Sequence, residues 1–398
     1  MDDLAVFGGE PAFSSPLHVG RPHIGNRREL AARFEDLLDR RWLTNDGRYV
    51  QEFERGIERY LGVEHCVATS SGTTALQIAT RAGGLSGDVL VPSFTFIATP
   101  NALAWQGLNP VFCDVDPTTY TIDPDAAENL ISTRVTGIVG VHLWGRPCKV
   151  DALAALADRQ DLRLILDASH AFGCSHRGRM IGTFGDAEVF SFHATKPLNT
   201  AEGGAIVTND GALADRARLM RNFGFADYDR TAGLGINGKM SEFSAAMGLT
   251  SLDSLPRFIA ANRRNYEGYR AGLANVPGLS LVPHERTERH NYHDVVVEVS
   301  EGDAGISRDV VQRVLWEEKV LARRYFYPGA HRMEPYRSTI ASAGSTLPVT
   351  EHLAAKTLVL PNGGEIRAQE IEGVCELAAF VVENGAEVAR RLGRDHGG

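Results

Sequence analysis

Between about residues 63 and 208 the chain repeats one pattern, a short apolar run followed by a helix-forming stretch, and this repeat restricts the fold more than any other feature. Strand-like runs fall at 89–92, 110–113, 138–143, 162–167, 188–192 and 205–208, with helical segments such as 151–158 between them. Runs that are apolar at consecutive positions suit strands buried on both faces. Parallel neighbours cannot be joined by a tight turn and need a crossover, so the alternation predicts an α/β fold whose central sheet is mostly parallel, with helices on both faces. An N-terminal arm and a helix near 28–38 precede this region, and a long helical stretch from about 239 to 273 follows it. Past Pro277-Gly278 single strands such as 294–299 stand between helices. A chain of 398 residues has room for two domains. We expect a large α/β domain at 20–260 and a smaller α+β domain at 261–398, completed by the arm at 1–19.

Open α/β sheets bind ligands in the crevice beyond the carboxyl ends of their strands, and chemistry-bearing residues collect at those ends here. Asp167 closes the run 162–166 and is followed by Ala168, Ser169 and His170. An Asp there either faces the crevice or caps the next turn. One crossover later comes Lys196, in SFHATKPLNTAEGG. The chain has only four other lysines, Lys149, Lys239, Lys319 and Lys356, and the last two lie in amphipathic helical stretches that read as solvated faces. Small and hydroxylated residues flank Lys196, as expected where a cofactor approaches the backbone. Upstream, residues 68–76 open a helix, and Gly72 allows close approach of an anion to its N-terminus. Ordinary helix capping by Ser and Thr is the plain alternative. Ser191 offers a further hydroxyl. Phe94 and Phe96 follow a strand; Phe96 is expected to cover a flat ring and Phe94 to join the core, although aromatics at strand ends usually pack inward. A lysine amine, a carboxylate, an anion cradle and an aromatic platform are the parts that pyridoxal 5'-phosphate needs. The carboxylate keeps its pyridine nitrogen protonated, which makes the ring an electron sink.

In this order the residues resemble the sugar aminotransferases of the DegT/DnrJ/EryC/StrS type, which act on nucleotide-linked keto sugars and share the aspartate-aminotransferase fold. The resemblance runs from LAVFGG and WLTN through SSGTTAL, PSFTFIAT, VHLWGRP, LDASHAFG and SFHATK to GINGKMSE and the C-terminal half. It implies the type I fold of pyridoxal phosphate-dependent transferases. It further implies that Gly72, Thr73 and Ser191 hold the phosphate, Phe96 stacks on the ring, Asp167 binds the pyridine nitrogen, His170 lies beside the ring, and Lys196 forms the covalent imine and moves the proton. Asn237, in G-x-N-x-[RK]-M, would reach the phosphate of a second subunit, so the protein would be a homodimer with shared active sites. Ser70, where many relatives carry Asn, and Pro197, where Asn often follows the lysine, depart from the family pattern.

Family members that aminate C-3 usually show Tyr-x-Gly-Lys and then Gly-Asp-Gly-Gly, whereas C-4 enzymes show His-x-Thr-Lys and then Glu-Gly-Gly. Here the residues are His193-Ala194-Thr195-Lys196 and Glu202-Gly203-Gly204. The resemblance therefore implies amination at C-4 of a nucleotide-linked 4-keto-6-deoxyhexose, with dTDP as the expected nucleotide and glutamate as donor. Trp144, Arg146, Tyr325 and His331 are substrate contacts by resemblance. The alternatives are a C-3 enzyme, opposed by His193 and Glu202; a dehydratase, in which His replaces the lysine; and a non-catalytic cofactor-binding regulatory protein, which would carry a helix-turn-helix or a basic patch.

A formal charge of −9 disfavours a nucleic-acid partner. No apolar run approaches the ~20 residues that cross a bilayer, and no N-terminal signal is seen, so neither a membrane nor export is expected and the location should be cytoplasmic. Cys66, Cys113, Cys148, Cys174 and Cys375 form no C-x-x-C pair, and the histidines show no H-x-x-x-H spacing, so no metal is expected. Arginine is plentiful and binds phosphate in a bidentate manner.

Overall fold

The computed structural model describes residues 1–339 and 346–394. Helices α1 (Arg27–Arg40) and α2 (Arg48–Leu61) lead into strand β1 (His65–Thr69) and helix α3 (Gly72–Ala82). There follow β2 (Asp88–Pro92), α4 (Ala98–Ala104), β3 (Asn109–Cys113), β4 (Val135–Val141), α5 (Val150–Gln160), β5 (Arg163–Asp167), β6 (Ala187–Ser191), β7 (Gly204–Thr208) and α6 (Gly211–Arg221). The strands form one sheet in the order β1-β7-β6-β5-β4-β2-β3. Every pairing is parallel except those of β7, which runs antiparallel to both β1 and β6. The expected mostly parallel α/β sheet is present.

Both faces of the sheet are covered, which is why its strands carry apolar residues at consecutive positions. Within β6, Val189 packs toward Leu76, Ile206 and Leu213, whereas the next residue, Phe190, packs toward Phe53, Ile57 and Leu255. Each such side chain contributes about 1.5–3 kcal/mol when fully buried. Strand β4 differs from its expected span, starting at Val135 and stopping at Val141. The apolar pair Leu143-Trp144 resembles a continuation, but the chain turns there, with Trp144 at φ 55°, and His142 is drawn inward to Glu188, 3.1 Å away.

A second, antiparallel sheet holds β8 (Leu279–Leu281), β9 (Val295–Val299) and β10 (Thr357–Leu360) in that order. Its core includes Val295, Val297, Leu358 and Leu360 and also Leu4 and Leu17 from the N-terminal arm. The arm is tied there by the parallel pairing of Leu17–His18 with Val320–Leu321 and by the Ala5 and Ala12 N–H groups, which donate to the Glu318 carboxylate at 2.8 and 2.7 Å. Helix α7 (Glu242–Gly272) runs through both cores, with Ala245 and Leu255 in the first and Tyr266 and Tyr269 in the second. The boundary expected near residue 260 thus lies inside a continuous helix. Among the described residues no helix is long and apolar enough to cross a membrane.

Helix α2 begins after Gly47, which has no side chain to cap it. The buried carboxylate of Glu242 does so from α7, accepting the Tyr49 N–H at 2.8 Å and the Val50 N–H at 3.2 Å. Glu242→Ala strands these donors and is expected to cost about 1–3 kcal/mol, measured by urea denaturation.

Candidate active site

The strand register brings the chemistry-bearing residues to one end of the sheet. Val141 of β4 lies opposite Asp167 of β5, Asp167 opposite Val189 of β6, and Ser191 opposite Gly204 of β7. Beyond these ends is a cleft of about 320 Å³, lined by Gly72, Thr73, Phe96, Asp167, His170, Ser191 and Lys196 among others. Of the catalytic and cofactor-binding residues expected from sequence, only Asn237 lies outside it.

At the start of α3 the Ser71 hydroxyl accepts the Thr74 N–H at 3.1 Å and caps the helix. The Gly72 and Thr73 N–H groups precede the first intrahelical donor, the Ala75 N–H, and are available to an anion. The packing here excludes side chains: a Cβ on Gly72 would lie 2.8 Å from the Ser191 Cβ, and one on Gly204 would lie 2.6 Å from the Gly72 nitrogen. Glycine at both positions lets the helix end approach β6 and β7 closely.

Asp167 is 5% exposed, and its carboxylate is fixed by two donors. The Thr99 hydroxyl reaches Oδ2 at 2.8 Å, and the Ser169 N–H reaches Oδ1 at 3.1 Å. Thr99→Val keeps the shape and removes one hydrogen bond to a charged group, worth about 1.5–3 kcal/mol. We expect kcat/KM to fall roughly 10- to 100-fold in this variant, with circular dichroism unchanged.

Lys196 keeps partial exposure to the cleft, but burial pushes its ammonium below the usual lysine range, against the opposing pull of Asp294 and Asp167. Burial, aided by the Lys196 charge, holds His170 far below the usual histidine range and therefore neutral. Its Nδ1 accepts the Trp144 N–H at 3.3 Å, and its ring stacks on Phe326 at 6.0 Å. Phe96 is 54% exposed at the cleft wall, whereas Phe94 is 1% exposed and packs edge-on against Trp144. At the mouth, His193 Nε2 lies 3.6 Å from Glu202 Oε1, and both residues line the cleft. Asn237 is exposed and bridges to the Asn222 backbone, close in the chain to the exposed Phe223, Phe225, Leu234 and Ile236.

Of the four residues assigned to substrate by resemblance, Tyr325 lines the cleft. Trp144 is buried behind Phe326. Arg146 lies over the Tyr120 ring and donates to the Thr118 carbonyl at 3.2 Å. His331 is held between Ser93 Oγ at 2.6 Å and Glu351 at 3.2 Å. Three neighbours of the cleft went unforeseen: Thr99, Phe326 and Asp294. Asp294 is 6% exposed, its Oδ2 lies 4.0 Å from His170 Nδ1, and burial raises its carboxyl to about 6. The one sequence signal for it is an acid standing directly before the apolar run Val295-Val296-Val297.

Residues 25–378 match the model of the DegT/DnrJ/EryC1/StrS aminotransferase family. The chain is 34% identical over 364 residues to the dTDP-4-amino-4,6-dideoxy-D-glucose transaminase of Shigella dysenteriae, covering 90% of this chain and 97% of that protein. It is 35% identical over 365 residues to the GDP-perosamine synthase of Caulobacter vibrioides, covering 90% and 96%. A crystal structure of DesI in the presence of its TDP-sugar product superimposes with a TM-score of 0.94 at 48% identity, covering 98% of this chain and 99% of that one.

Proposed function

Because this chain belongs to the DegT/DnrJ/EryC1/StrS aminotransferase family, we propose that it transfers an amino group from glutamate to C-4 of a dTDP-linked 4-keto-6-deoxyhexose, giving a 4-amino-4,6-dideoxy sugar nucleotide. The observation that carries this reading is the meeting, in one cleft, of the desolvated Lys196, the hydrogen-bonded Asp167 and the open start of α3. Those residues fit pyridoxal 5'-phosphate. The open N–H groups at the start of α3, with the Ser191 hydroxyl in the same cleft, suit the phosphate. When bound, the cofactor supplies the carbonyl that carries the amino group and a ring that accepts the electron pair released at the reacting carbon.

The chain's own residues do the rest. Gly72 and Thr73 N–H groups and the Ser191 hydroxyl would hold the phosphate, Asp167 would keep a proton on the ring nitrogen, and Phe96 and the neutral His170 would hold the ring. Lys196 would anchor the cofactor and serve as acid and base; its burial favours the free amine, the form that can accept a proton. The His193–Glu202 pair supports the C-4 assignment, since both signature residues line the cleft with Lys196. Beyond Phe96 the cleft adjoins a groove of about 340 Å³ lined by Trp316, Arg323, Arg324 and Tyr327, which suits a nucleotide diphosphate. DesI was crystallised with a TDP-sugar and the Shigella relative is a dTDP-sugar transaminase, which supports the choice of nucleotide.

Asn237 and the exposed apolar residues near it support a homodimer in which Asn237 completes the partner's phosphate site. The separate cores support a division into a cofactor domain at 20–260 and a smaller domain at 261–398 with the arm at 1–19. The donor half of the reaction is tested alone: protein loaded with cofactor and mixed with L-glutamate should release one 2-oxoglutarate per site. Its absence would reject glutamate as donor.

A further inference from the structure

A neutral imidazole has one donor and one acceptor nitrogen, and the nitrogen left for the cleft decides what the ring can do there. For His170, which lines the cleft, the backbone makes that choice. The Trp144 N–H donates to Nδ1 at 3.3 Å, so Nδ1 carries no proton and the proton of the neutral ring stands on Nε2. Asp294 Oδ2, the other polar atom beside Nδ1, is 4.0 Å away and beyond hydrogen-bond reach. Asn291 holds the backbone here, donating to the His170 and Phe172 carbonyls at 2.8 and 3.1 Å, and the ring stacks on Phe326.

The Trp144 N–H reaches Nδ1 because the chain leaves β4 in a left-handed turn, with Trp144 at φ 55° and Gly145 at φ 75°. A bulky residue keeps such a conformation only where its surroundings hold it. The Trp144 indole is buried, edge-on to Phe94 at 5.5 Å and parallel to Phe326 at 6.4 Å. Inside the turn the Arg146 N–H donates to the Leu143 carbonyl at 2.8 Å. His142 closes its two ends. The His142 backbone N–H donates to the Asp167 carbonyl at 2.9 Å, and its Nδ1 accepts the Cys148 N–H at 3.0 Å. The opposite nitrogen, Nε2, donates to Glu188 Oε2 at 3.1 Å. Glu188 is itself fixed, since its Oε1 accepts the Gly182 and Phe184 N–H groups, each at 2.7 Å. The side chains of His142 and Glu188 are both fully buried.

We propose that His142 is a positioning residue for His170: by closing the turn from 142 to 148 it aims the Trp144 N–H at Nδ1, and so keeps His170 as a fixed Nε2–H donor for the cleft. Such a ring donates to an acceptor oxygen of the molecule bound there. With its lone pair turned away, it does not compete with Lys196 as a base. The part played in turnover rests on the aminotransferase reading, whereas the tautomer does not.

The tautomer is read by NMR of cofactor-free protein carrying isotope-labelled histidine, with His170 assigned by loss of its signals in His170→Gln. Near neutral pH the wild type should show a protonated Nε2 and a bare Nδ1. His142→Leu cannot accept the Cys148 N–H and should shift the His170 nitrogens toward a mixture of tautomers. His142→Asn, whose side-chain oxygen can take that N–H, should restore the wild-type pattern. In the holoenzyme, kcat/KM of His170→Gln, which keeps a donor, should exceed that of His170→Phe, which keeps only the ring, by roughly tenfold. A proton on Nδ1 in the wild type, a His142→Leu spectrum equal to the wild type, or equal rates for the two His170 variants would overturn the proposal. Should His142→Leu not fold, the wild-type tautomer and the His170 pair still decide it. A wild type that releases no 2-oxoglutarate from glutamate would count against the aminotransferase reading, while the tautomer measurement stands apart from it.

Discussion

Lys196→Ala is expected to bind pyridoxal phosphate and yet lose turnover, by about 10⁴-fold or more, since acid–base catalysis by one side chain contributes roughly 10²–10⁴-fold and the covalent anchor is lost as well. Binding survives because the phosphate cradle, Asp167 and Phe96 do not depend on the lysine. No other lysine is placed to substitute. Lys149 pairs with Asp116 at 2.8 Å and Lys356 with Glu298 at 2.8 Å, while Lys239 and Lys319 are bonded to Asn222 and to the Ser14 carbonyl. Retained cofactor absorbance together with absent release of 2-oxoglutarate checks both halves of the expectation. Partial recovery with an added small amine would show that the missing function is the amine itself.

Asp167→Asn should reduce kcat by about 10²–10³-fold, the usual cost of removing one preorganised electrostatic group at a reacting centre. The amide oxygen can still accept the Thr99 hydroxyl, at the cost of the Ser169 N–H bond to the other oxygen. What it cannot do is hold a proton on the pyridine nitrogen by opposite charge. Steady-state rates with glutamate and the keto sugar, compared with cofactor affinity, separate this loss of chemistry from a loss of binding. A variant with near-normal kcat would show that Asp167 serves the turn at Ser169 and not the ring.

The parts of this arrangement that follow from local pattern were legible in the sequence. Continuous apolar runs separated by helix-length segments have few packing solutions, so the sheet and the crevice beyond its strands could be read directly, and Asp167 with it. Lys196 was legible because lysine is scarce and its neighbours are small. Contacts made by tertiary packing were not. Thr99 reaches Asp167 across 68 positions, and Asp294 approaches His170 from the other core, where the sequence shows only an acid before a strand. Phe94 and Phe96 were hard to separate because both follow the strand and share its face by spacing; burial of one and exposure of the other decided between them. His331 and Arg146 carry side chains suited to a phosphate, yet in the fold they bind Ser93 and Glu351, and the Thr118 carbonyl.

The most direct measurement is to supply the protein with pyridoxal phosphate, L-glutamate and dTDP-4-keto-6-deoxyglucose and to identify the product by mass and proton NMR. A 4-amino-4,6-dideoxy sugar nucleotide, with couplings at H-4 that give its configuration, is the predicted result. Recovery of the unchanged keto sugar, or of a sugar aminated at C-3, would contradict the account.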